Sequence, residues 1–87
     1  MPKYLTSMEK IARARVLIQK AREVPIPAEG GKANFAYIAQ VKDLLRQARD
    51  LIKFIPNTPT ATPEMKAEVN KIFEEAEQAN QEILHGH

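Results

Sequence analysis

Four cations, Lys42, Arg46, Arg49 and Lys53, recur at spacings of four, three and four residues. At 3.6 residues per helical turn, this spacing places all four on one narrow strip. Phe35 falls in line with them, one or two turns earlier. A ridge of guanidinium and ammonium groups beside an aromatic ring has the chemistry to hold carboxylates or phosphates. An acidic peptide and a nucleic acid are therefore both candidate ligands. A net charge of only +2 weighs against nucleic acid. The plain alternative is a solvated face with local ion pairs, because Asp43 and Asp50 lie within helical reach of the strip. The strip is expected to lie opposite the apolar stripe of its own helix.

A second set of residues has the chemistry of apolar docking. Val16, Phe54 and Leu84 fall off the main apolar stripes, and Tyr4 and Leu5 precede the first of these stripes. If these residues converge, they form a groove in which an amphipathic helix docks. If they do not, Tyr4, Leu5 and Phe54 complete the core at the ends of the domain.

Little here points to catalysis. Cysteine is absent, so there is no thiolate nucleophile, zinc thiolate or disulfide, a composition that fits a reducing compartment. The histidines, His85 and His87, sit at the C-terminal end of the sequence, where a helix frays. Ser7 reads as part of a helix cap. Glu68, Glu75 and Glu82 repeat every seven residues and read as a solvated acidic face rather than a metal site. No Glu-x-x-His pair occurs. The expectation is a protein that is not an enzyme and carries no cofactor and no metal.

Helices must position these groups. In 87 residues there are three glycines and no tryptophan, which argues for long helices over a turn-rich β fold. The length suits one domain spanning residues 1–87, close to the smallest size at which a single core suffices. Thr6 and Glu9 form a capping-box pattern ahead of Met8, Ile11, Ala14, Leu17, Ile18 and Ala21, which predicts a helix over residues 7–23. Asn34 is a good N-cap for the widest apolar stripe, Tyr37 through Ile55, which predicts a helix over 35–55 ended by Pro56. Thr62, Pro63 and Glu64 start a third helix over 63–84, with Gly86 at or after its end.

The connections are short, so the fold class expected is all-α, an antiparallel up-down-up three-helix bundle. "VPIP", from Val24 to Pro27, must be extended, with Val24 and Ile26 covering the end of the bundle and Gly30–Gly31 reversing the chain. "LIQKARE", "LLRQARD" and "IFEEAEQ", starting at Leu17, Leu44 and Ile72, share one form. Each pairs two large apolar residues with an alanine one turn later, where a neighbouring helix can approach closely.

Charge is unevenly spread. Residues 1–23 carry six Lys/Arg against two acids, residues 24–59 five against three, and residues 60–87 two against six. A basic first helix beside an acidic third one is complementary within the chain.

Neither the start "MPKYLTSMEK" nor any apolar run has the form of a signal peptide or a membrane span. An intracellular protein, cytoplasmic or nuclear, is the expectation.

Four short stretches resemble three known families. "TPEMKAEVNKIF" resembles a helix of the paired amphipathic helix domains of Sin3-type corepressors. "KAREVPIP" and "IPNTP" resemble pieces of an activator-binding domain of the fungal Mediator tail. "KIFEEAEQAN" is similar to the last helix of MIT domains. These families dock short helical peptides in grooves, so the resemblances imply a transcription-coregulator or adaptor role. The expected function is a non-catalytic protein-interaction module whose partner offers an amphipathic or acidic helix. Its candidate contact residues are Val16, Phe35, Lys42, Arg46, Arg49, Lys53 and Phe54. The alternatives are nucleic-acid binding through the basic ridge, or a structural or oligomerisation domain.

Overall fold

A computed structural model describes residues 6–85. Tyr4, Leu5, Gly86, His87 and the side chain of His85 lie outside the described residues. The architecture is all-helical, with three α-helices and no strand among the described residues. The helices are α1 (Ser7–Glu23), α2 (Phe35–Ile52) and α3 (Pro63–Asn80).

Each helix starts where its cap chemistry requires. Thr6 and Glu9 exchange reciprocal hydrogen bonds: the Glu9 amide donates to Thr6 Oγ1 and the Thr6 amide to Glu9 Oε1. Asn34 Oδ1 accepts from the amides of Ala36 and Tyr37, and Thr62 Oγ1 accepts from that of Met65. Pro63 occupies the first position of α3, where a missing N–H has no consequence.

The helix ends differ in part from the pattern-based expectation. α1 ends at Glu23, and Val24 turns extended ahead of Pro25. α2 ends at Ile52, not residue 55. Pro56 has no N–H to donate to the Ile52 carbonyl, and its ring would crowd that oxygen. The chain turns at Lys53–Phe54 and tightens into a 3₁₀ turn, Ile55–Asn57, that still keeps Ile55 buried. The regular α-helical part of α3 ends at Asn80, and a wider π turn, Gln81–His85, carries Ile83 onto the core.

The core is aliphatic apart from Tyr37. Ile18, Leu45 and Ile72 are buried at a repeat of 27 residues, with the repeated alanines Ala21, Ala48 and Ala76 beside them. The deep residue is the second of the apolar pair in the first two units and the first in the third, where Phe73 is only half-buried. Val41, Ile52 and Val69 are also fully enclosed, and no polar or charged side chain is buried among the described residues. Met8 does not join this core, although its spacing fits the α1 stripe. It stands on the first turn, 59 % exposed.

The "VPIP" corner covers the core with Val24 alone, since Ile26 is exposed. Gly30 has φ +81° and Gly31 φ +52°. A 3₁₀ turn, Gly31–Ala33, then leads into Asn34, whose Nδ2 donates to the Glu29 carbonyl at 2.9 Å. One side chain thus caps α2 and fastens the corner to it.

Two stability measurements check this account. Ile72→Ala is expected to cost about 2–5 kcal/mol in denaturant unfolding, whereas Val16→Ala on the outer face of α1 should stay within about 0.5 kcal/mol. Gly30→Ala, forced to keep a left-handed backbone with its Cβ 3.4 Å from Asn34, is expected to lose about 1–2 kcal/mol by the same measurement.

Candidate functional site

The basic first helix and the acidic third helix meet. Arg15 Nη2 donates to Glu68 Oε2, and its Nε lies 3.7 Å from Glu75. Arg22 Nη1 donates to Glu82 at 2.9 Å. Glu68, Glu75 and Glu82 are therefore not a free acidic face, as their sequence spacing alone suggests, but one rail of an ion ladder. Arg15 and Arg22, themselves seven residues apart, form the other rail. The shared spacing was the signal in the sequence, and only the juxtaposition of α1 and α3 gives it meaning. The pairs are substantially exposed, so they steer the helix pairing more than they drive it. The hydrogen bond from Arg15, followed by the attraction of its charge, holds the Glu68 carboxyl below the ordinary glutamate range. Desolvation opposes this, and Lys71 adds a little to it.

The cationic strip of α2 is placed differently. Lys42, Arg46 and Arg49 line a shallow recess between α2 and α3, together with Leu45, Ala76 and Asn80. The expectation that the strip lies opposite the apolar stripe does not hold, and the 3.6-residue turn by itself rules it out. The strip flanks that stripe, roughly a third of a turn round, and borders the seam with α3. Lys42 and Arg46 also line an adjoining recess with Ala39 and Asp43. Arg46 is paired with Asp43 at 3.0 Å, and Lys53 with Asp50 at 3.3 Å. Gln47 donates to the other Asp43 oxygen at 2.7 Å. Among the described residues neither Lys42 nor Arg49 forms an ion pair.

The apolar candidates are dispersed. Phe35, 88 % exposed, stands at the first position of α2, and Phe54, 66 % exposed, just past its other end. The length of α2 separates them, about 28 Å at 1.5 Å per residue. The ammonium group of Lys53 lies 5.1 Å from the Phe54 ring centroid, a cation–π contact. Val16 is 52 % exposed on the outer face of α1, on a patch shared with Ala12, Arg13 and Leu17 of the same helix. Leu84 packs against the core. The structure thus gathers Lys42, Arg46 and Arg49 at one seam, and it does not gather Val16, Phe35 and Phe54.

Leu45, Ala76 and Asn80 complete the recess, and the cation pattern could not find them. Leu45 reads as core, and the other two belong to a helix whose placement beside α2 is a tertiary fact. No helix among the described residues is long and apolar enough to cross a membrane. Nor do these residues bring together three or more side chains able to hold a metal ion. In comparisons with protein-family models, characterised sequences and solved structures, nothing matches the chain.

The Arg15–Glu68 contact makes a pH prediction. The Glu68 pKa is lowered on folding, so its contribution is complete above the unfolded value of about 4.3 and is lost as pH falls through the lower folded value. Urea midpoints followed from about pH 5 downward should fall less steeply for Arg15→Gln than for the parent chain.

Proposed function

We propose that this chain is a non-catalytic protein-interaction module, an antiparallel up-down-up three-helix bundle that docks an amphipathic or acidic helical segment of a partner protein. The observation that carries the reading is the recess between α2 and α3. Its base is closed by the buried Leu45 and Ala76, and its rim is cationic, from Lys42, Arg46 and Arg49, whose aliphatic stems supply the apolar contact. That combination suits a helix with one greasy face and carboxylates beside it.

The topology draws support from which residues meet. Arg15 pairs with Glu68 and Glu75, and the later Arg22 pairs with the later Glu82, as for α1 and α3 running the same way. The short connections between consecutive helices suit antiparallel neighbours. Nucleic acid draws less support, because Arg46 and Lys53 are already compensated by Asp43 and Asp50. An intracellular setting, cytoplasmic or nuclear, belongs to this proposal, and the cysteine-free composition is compatible with it.

The test is a chemical-shift titration of the labelled chain with a panel of amphipathic helical peptides, acidic, neutral and basic. Acidic members are expected to perturb a contiguous set of α2 and α3 amides, with affinity falling as salt rises. A panel that moves no surface cluster would remove the proposal.

A further inference from the structure

We infer that the partner's helix carries carboxylates seven residues apart and seats them on Lys42 and Arg49, an inference that rests on the interaction reading above. Lys42 and Arg49 are separated by seven positions and border the same recess. A seven-residue step along a helix spans about 10.5 Å and returns nearly to the same face. The chain already contains this solution. Arg15 and Arg22, also seven apart, are matched by Glu68, Glu75 and Glu82 at the same interval. α1 thus shows how a pair of cations at that spacing is satisfied by a neighbouring acidic helix.

Lys42 and Arg49 repeat the spacing on α2, and although α3 borders their recess through Ala76 and Asn80, none of its carboxylates pairs with either cation among the described residues. The one carboxylate lining either recess, Asp43, is taken up by Arg46 and Gln47. The local acids Asp43 and Asp50 therefore leave the outer cations of the recess uncompensated while damping Arg46 and Lys53. Between the two uncompensated cations the recess is closed by the buried Leu45 and Ala76, so apolar contact for a visiting side chain comes from the aliphatic stems of Lys42 and Arg49. A fitting helix places glutamates at i and i+7, with a leucine or methionine between them on the same face.

The probe is a capped helical peptide of about 18 residues built to that pattern. Its control has the same composition reordered so that the two glutamates lie on opposite faces. Binding is read by chemical shifts and by calorimetry at low salt. The patterned peptide is expected to move the amides of Lys42, Leu45, Arg49 and Asn80, and to bind roughly ten-fold more tightly than the control. Lys42→Glu and Arg49→Glu are each expected to weaken it roughly five- to ten-fold, with circular dichroism showing the fold intact. Equal affinity of the two peptides would overturn the spacing rule. Shifts clustered on Val16 and the outer face of α1 would overturn the site while leaving an interaction module standing. Binding by neither peptide, with other members of the panel still binding, would likewise overturn this inference alone.

Discussion

Everything in this chain depends on removing one set of aliphatic side chains from water. Ile18, Leu45 and Ile72, with the enclosed Val41, Ile52 and Val69, form a core in which no polar or charged side chain is buried among the described residues. Each such side chain contributes about 1.5–3 kcal/mol when fully buried. In a chain of 87 residues the entropy of ordering is of similar total size, so few of these contacts are dispensable. The alanines at 21, 48 and 76 let the larger residues meet, because a small side chain on one helix leaves room for the flank of the next.

A core of this kind is strong but not selective. Aliphatic groups pack against one another without direction, and the three apolar faces are chemically alike. Selectivity has to come from outside the core. The Arg15–Glu68, Arg15–Glu75 and Arg22–Glu82 pairs give α1 and α3 a preferred mutual register. The Gly30 corner and the Pro56 stop set where each connection turns. Weak exposed pairs suit this work, because discrimination between registers needs only a difference in energy and not a large absolute gain.

Much of the fold was legible from residue types alone, for reasons that can be named. Caps depend on a few adjacent groups, so Thr6, Asn34 and Thr62 marked the helix starts directly. Apolar period identified Ile11, Val41 and Ile72 as inward-facing. What failed depended on context. Met8 has the right period but falls on the first turn and stays exposed. The end of α2 moved from 55 to 52 because the constraint of a proline reaches four residues back. The cation spacing itself sets the strip about a third of a turn from the apolar stripe of α2, whereas its place beside the α2–α3 seam depends on what packs against Leu45. The spacing of Glu68, Glu75 and Glu82 suggests a free face for the same reason: a charge pattern names its partner only when the partner is in view.

Asn34 has a wider reach than capping. Its Oδ1 accepts from the amides of Ala36 and Tyr37 in the first turn of α2, while its Nδ2 donates to the Glu29 carbonyl across the glycine corner. Loop and helix start therefore share one fastening and belong to one cooperative opening unit. Tyr37, buried at the same point, is drawn into that unit. Amide deuteration should accordingly reach Ala36 and Tyr37 through the same excursion that frees the corner, and this end of the molecule should unzip as a block rather than residue by residue.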